Sequence, residues 1–400
     1  MKSRNPVTIA VLLLAVACRG EPRAAPRDDL RSLVDSLQPA VERAVGLKFK
    51  APIKVATRNR DQLRAFLLEK VDEELPPERL HGTEDAYRLL GLLPDTLDLE
   101  KFLIALLTEQ VAGYYDPQTA TLYGIEGYDR TLLAGTIAHE MVHALQHQYL
   151  PLDSILQPQA DDDRQVAAQA ILEGQATVAM VRVMLPKGMT LPPDVWSQLR
   201  GNIAQAQTSM PLFANAPLVI REQLIFPYIS GADFMMWWAA SARSDTLPYG
   251  PLMPRSSEQI LQPMSYARGD EPVSLRFTGA DTALFENTLG DLDLRILAAQ
   301  LAGAQQIASQ LAVGWGGDRF RVYETPNGPA LVWYIVWDDS TAADRFEHGN
   351  GAALARRTRP NYRTDLARVL VGGAPATRIV IAPTTWLRWQ DLPLVERTGY

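Results

Sequence analysis

The stretch TLLAGTIAHEMVHALQHQY, residues 131–149, decides how the rest of the chain is read. Its apolar residues Ile137, Ala138, Met141, Val142, Ala144 and Leu145 flank a polar core of three, and Pro151 stops the run, so a buried helix is predicted over Thr131–Tyr149. His139 and His143 stand four residues apart and share one face of that helix, so both imidazoles can reach a single metal ion. Glu140 lies near enough to the same point to accept a proton from metal-bound water. Zinc at such a point lowers the pKa of its water and polarises a carbonyl, which suits hydrolysis of a peptide bond. With only five histidines in the chain, roughly 0.003 such patterns are expected by chance.

A catalytic zinc takes three protein ligands and keeps one position open. His147 is eight residues beyond His139, about 12 Å along a continuous helix, too far to share one ion with it. His147 is therefore read as a supporting, substrate-facing or merely polar residue. Glu173, in AAQAILEGQAT (residues 167–177), is a lone carboxylate in a small-residue helical stretch. Burying it without a partner costs several kcal/mol, and a metal supplies the partner. The expected set is His139, His143 and Glu173 on one Zn(2+) per chain, with Glu140 as general base.

Working outward, helices are predicted at Asp28–Gly46, Asp61–Glu74, Pro77–Leu90, Leu99–Gln110, Asp161–Leu185, Pro193–Gln207 and Tyr228–Ser241. A strand is expected at Lys50–Thr57, and VAGYYDPQTATLYG (111–124) reads as a hairpin. After residue 275 the pattern changes: helices at Leu289–Leu301, Gln305–Val313 and Ser340–Arg357, and strands at Phe320–Glu324, Ala330–Trp337 and Thr377–Ala382. Gly314–Arg319 (GWGGDR) lacks the Lys and spacing of a phosphate loop and reads as a packed turn into a strand. Asp338-Asp339 is expected to cap the next helix, and FMMWW (234–238) to be core. The fold class is α+β: a mainly helical zincin-like domain with a small sheet over 28–275, then a smaller α+β domain over 276–400.

Composition excludes several classes. The 400 residues are 47% hydrophobic and 21% charged, which suits a folded globular chain. The net charge of −7, with no basic block, argues against a nucleic-acid partner. No run reaches the ~18 apolar residues of a membrane span. Met1–Pro6 carries Lys2 and Arg4, Val7–Ala17 is apolar, and Cys18, the one cysteine, follows small residues. This pattern describes a secretory signal over residues 1–17. It resembles a bacterial lipobox, with Ala15 where Leu is more usual. The resemblance implies lipidation of Cys18 and a membrane anchor. Residues 18–27 then read as a flexible tether, and Arg19 in place of Asp favours the outer membrane, facing the periplasm, where two membranes exist.

HExxH on one helix with a Glu on a later one resembles the gluzincin group of metallopeptidases. QVAGYYDP (110–117), His139–Gln148, Leu172-Glu173-Gly174, Pro227–Gly231, Ser257–Leu261 and Gly314–Arg319 together are similar to a family of bacterial metallopeptidase lipoproteins. The resemblance would put Asp where this chain has Gln175, and Thr177 is the substitute candidate to hydrogen-bond a ligand. It also implies that Val111–Asp116 lines the cleft, with Tyr114 and Tyr115 either binding extended substrate or serving as strand residues with one face in the core. Tyr228 is the first candidate for a second oxyanion donor and His348 the second. Two functions follow: an envelope-anchored zinc peptidase acting on a peptide or protein, or a non-catalytic scaffold lipoprotein. If Cys18 carries the anchor, Cys18→Ser releases the protein from the membrane fraction or leaves its signal uncleaved; unchanged fractionation and processing refute the anchor.

Overall fold

Small residues at one helix crossing set the architecture. The structure is a computed structural model that describes residues 27–128, 130–156, 161–186, 189, 191, 196–198, 200–201, 210–241, 246–279, 283–302, 310–357 and 359–398. The expected signal, Cys18 and nearly all of the tether lie outside the described residues, as do most of the helices expected at Pro193–Gln207 and Gln305–Val313. The fold is α+β. Eight main helices are labelled α1 (Arg27–Val45), α2 (Arg60–Glu74), α3 (Pro77–Leu90), α4 (Leu99–Gln110), α5 (Arg130–Tyr149), α6 (Asp162–Met184), α7 (Leu218–Ala240) and α8 (Gly290–Ala302). Strands β1 (Lys54–Arg58), β2 (Gly113–Asp116) and β3 (Thr121–Ile125) form a three-stranded sheet in the order β1-β3-β2. β2 and β3 pair antiparallel as a hairpin, β1 joins β3 in parallel, and β2 is left at the edge beside α5.

The C-terminal part is built on a five-stranded antiparallel sheet. Its strands β5 (Phe285–Asn287), β6 (Trp315–Tyr323), β7 (Ala330–Trp337), β8 (Tyr362–Val371) and β9 (Ala374–Pro383) run in the order β5-β6-β7-β9-β8. β7 reads ALVWYIVW and is buried along its whole length, because both faces are covered. Leu331, Trp333, Ile335 and Trp337 enter the core shared with α3, α4, α6, α7 and α8, while Val332, Tyr334 and Val336 face a second cluster. β4 (Leu275–Phe277) and β10 (Val395–Arg397) pair as a two-stranded ribbon, and Leu275 and Phe277 join that second cluster.

Three expectations are corrected. The helix expected from Tyr228 begins ten residues earlier, at Leu218, and runs through Pro227. A proline removes one backbone bond, but burial of Val219, Ile220 and Phe226 in the main core outweighs that local cost. The GWGGDR segment is not a turn before the strand: Trp315 already pairs with Trp337, and the register shifts between Trp315 and Gly317. Within it, buried Asp318 accepts the backbone N–H groups of Leu289 and Gly290 and the indole N–H groups of Trp315 and Trp333, at 2.8–3.1 Å, which anchors the start of α8. The helix expected at Ser340–Arg357 is interrupted by a π-helical turn at Glu347–Gly351. Asp339 does cap its start, accepting the Ala342 N–H at 2.8 Å.

α6 and α7 approach until their backbones touch. A Cβ placed on Gly174 would lie 2.2 Å from the Gly231 carbonyl carbon, and one on Gly231 would lie 2.0 Å from the Ala170 oxygen. Gly231→Ala must push the helices apart, at a cost of about 1–3 kcal/mol. Chemical denaturation should show a clearly lowered midpoint; an unchanged midpoint would mean that the crossing is loose.

Candidate active site

Helix α5 carries the HExxH motif; β2 and α6 pack against it, and Tyr228 of α7 comes near His139. His139, Glu140 and His143 are buried at 0%, 0% and 4% exposure, and Glu173 on α6 at 1%. His139, Glu140 and His143 form a group whose donor atoms lie within 4.8 Å of one another and can hold a metal ion. Glu173 closes on the same point. Its Oε2 lies 2.9 Å from His139 Nε2 and 3.2 Å from His143 Nε2. Glu173 Oε1 has no hydrogen-bond partner among the described residues.

Glu140 faces the strand. Its Oε2 accepts the Tyr115 backbone N–H at 2.7 Å, and its Oε1 has no hydrogen-bond partner among the described residues. Tyr115 is tied to α5 a second time, because its hydroxyl lies 2.8 Å from His147 Nδ1. His147 thus braces the strand. Tyr114 alternates to the other face, where its ring stacks on Phe66 at 4.3 Å and Tyr123 at 5.0 Å inside a core cluster. Of the two tyrosines expected to bind substrate, Tyr114 is thus placed in the core and Tyr115 beside the site, through its backbone.

Burial works against charge throughout this group, and the local partners decide who keeps it. Burial pushes His139 down to about 4 and Glu140 up to about 8. It opposes charge on Glu173 too, but the charge and hydrogen bonds of His143 and His139 hold that carboxylate down at about 2. Burial also disfavours the His143 imidazolium, yet the Glu173 carboxylate holds it up at about 9. Tyr228 on α7 is 3% exposed, with its ring 5.9 Å from that of His139. Burial first, then the Glu173 and Glu140 charges, raise its hydroxyl well above the usual range, so it stays protonated. His348 is exposed on the π-helical turn, which packs against α8, and its Nδ1 is bonded to the Asp344 carbonyl at 2.7 Å; the structure does not bring it to this group.

A glutamine relay, unforeseen from the sequence, orients one histidine. Gln146 Oε1 lies 2.8 Å from His143 Nδ1. Gln146 Nε2 donates to the Leu172 carbonyl at 3.0 Å and to Gln175 Oε1 at 2.8 Å, and the Tyr249 hydroxyl also donates to Gln175. Because both amide hydrogens are committed, the Gln146 oxygen must accept. His143 therefore carries a proton on Nδ1 and presents Nε2 to Glu173. Gln175, where the resemblance puts Asp, steadies Gln146 instead of reaching the histidine. Thr177 does not take that place either: it is fully buried and its Oγ1 makes no hydrogen bond among the described residues. The signal in the sequence was the three-residue step from His143 to Gln146, which puts both on one helix face. Gln146→Leu should weaken metal binding about 10–100-fold, read by equilibrium dialysis; unchanged affinity would show that the ring needs no such support.

Residues 278–386 match a family model described as a domain of unknown function (DUF8575). No curated protein matches the chain. Among solved structures, the chain is similar to a protein from Chloroflexus aurantiacus described as "a putative hydrolase with a novel fold", at 18% identity and a TM-score of 0.40, over 61% of this chain and 90% of that one.

Proposed function

We propose that the chain is a zinc-dependent metallopeptidase of the gluzincin kind, exported and anchored to the cell envelope by a lipid on Cys18. One observation carries the catalytic reading: two imidazole Nε2 atoms meet a single oxygen of Glu173 in a buried site, with Glu140 beside them. Two imidazoles and a carboxylate are a donor set that suits zinc and leaves a position open. Zinc held there would polarise a substrate carbonyl and lower the pKa of a coordinated water.

The remaining work falls to the chain itself. Glu140 is fixed through one oxygen by the Tyr115 N–H, and its other oxygen is uncommitted. That oxygen takes a proton from the attacking water and returns it to the leaving amine. The protonated Tyr228 hydroxyl is a candidate donor to the developing oxyanion. β2 is an edge strand, and an extended peptide can add to such an edge through main-chain hydrogen bonds.

Wild type should bind one zinc per chain and cleave a peptide library in a chelator-sensitive way. Glu140→Gln should keep near-normal zinc and lose cleavage by at least ~10²-fold. Glu173→Gln and His143→Ala should lose zinc affinity by at least ~10–100-fold and activity with it. Zinc-tight Glu173→Gln protein would refute the ligand set. Stoichiometric zinc in wild type with no cleavage of any library member would leave the scaffold reading in its place.

A further inference from the structure

A cavity of about 310 Å³ lies between α2, α3, α4, α6, α7 and the start of α8. It adjoins the metal-ligand group through two side chains. Tyr228, whose ring packs near His139, lines it, and so does Gln169, one turn before Glu173 on α6. Leu103, Leu107, Ile220, Leu224 and Leu292 give it apolar walls. A space of this character takes an apolar body, and its few polar groups fix which one.

Its charged groups are mainly acidic, Asp162, Asp163 and Asp293 against Arg79. Asp293 is 4% exposed and held by neutral donors alone: Tyr87 Oη donates to Oδ2 at 2.6 Å and Gln223 Nε2 to Oδ1 at 2.7 Å. Among the described residues no Lys or Arg pairs with it. Arg79 is the one basic residue among the described lining residues, and it is paired with Asp162. Asp163 also lines the cavity and accepts the Ser257 N–H. Three carboxylates therefore face one guanidinium. Burial pushes Asp293 up to about 7, as expected of an acid with no counter-charge.

We propose that this cavity is a subsite for an apolar stem ending in a cation, namely the lysine or arginine side chain of a bound peptide. Gln223 precedes Tyr228 by five residues of α7, about 7.5 Å of helical rise, a span comparable to a lysine's four-carbon stem and ammonium. The link to a peptide rests on the peptidase reading. Selection of a cation by the cavity does not.

The first arm of the test needs no catalysis. Hexylamine, hexanol and hexanoate are titrated into the full-length protein by calorimetry. The expected order is hexylamine at least ten-fold tighter than hexanol, with hexanoate weakest. Asp293→Asn should bring hexylamine to within about three-fold of hexanol while hexanol still binds. Equal binding of hexanol and hexylamine to wild type overturns cation selection, and no binding of either overturns the cavity as a site. Because wild type alone decides these two outcomes, a poorly folded variant leaves the test intact. The second arm compares kcat/KM across peptides. A ten-fold preference for Lys or Arg over Leu at one position, lost in Asp293→Asn, supports the subsite. Cleavage without that preference overturns its link to substrate. A failed peptidase reading appears separately, as no cleavage by a protein that still selects hexylamine.

Discussion

The contact between the α6 and α7 backbones at Gly174 and Gly231 is the constraint on which the site depends. No side chain larger than hydrogen fits at either position without moving main chain. Glu173 is the residue next to one of these contacts, and Tyr228 lies one turn before the other. The crossing therefore brings a carboxylate and a phenol to the His139 and His143 rings from two different helices. It also explains why α7 tolerates Pro227. Helix propensity is a weak preference, and packing of a buried helix at closest approach overrides it.

The second element of the site comes from an edge strand. β2 pairs with β3 on one side only, so its outward N–H groups need partners. The Tyr115 N–H finds one in Glu140, and the Tyr115 hydroxyl finds another in His147. The same bonds that satisfy an otherwise exposed edge thus fix the rotamer of the proposed base. The hairpin and α5 act as one unit, with Leu122, Ile137, Met141 and Val142 filling the space between and behind them.

Much of this was legible in the sequence where local chemistry was strong. Pro77–Leu90 is readable to the residue because proline opens it and Gly91, in the left-handed conformation, closes it. β7 is equally plain, being a continuous apolar run bounded by turn residues. The HExxH face and lone Glu173 are likewise visible, since spacing and an unpartnered buried charge are sequence properties. β8 was not read, because its residues are mostly half-exposed and Arg363, Asp365 and Arg368 break its apolar pattern, as suits the outer strand of a sheet. Nor was the Gln146–Gln175–Tyr249 relay: it joins three elements far apart in the chain, and an uncharged amide carries no burial signal of its own. The anchoring role of Asp318 was hidden for a similar reason, since the donors it collects come from α8 and β7 as well as its own strand.

The two glutamates show how one buried site can shift chemically identical groups in opposite directions. Burial alone would raise both. Glu173 meets two imidazoles and is held near 2, so it remains an anion and a ligand for a cation across the whole physiological range. For Glu140, burial outweighs the His143 charge and the one backbone N–H it accepts, and carries it to about 8. A carboxylate that ionises near neutrality can both accept and return a proton, whereas one fixed at 2 can do neither efficiently. The difference in environment traces to position on the helices. Glu173 enters from α6 directly onto the Nε2 atoms, while Glu140, one residue past His139 on α5, is turned toward β2. The proposed roles of one as ligand and the other as base therefore rest on where each helix places its carboxylate.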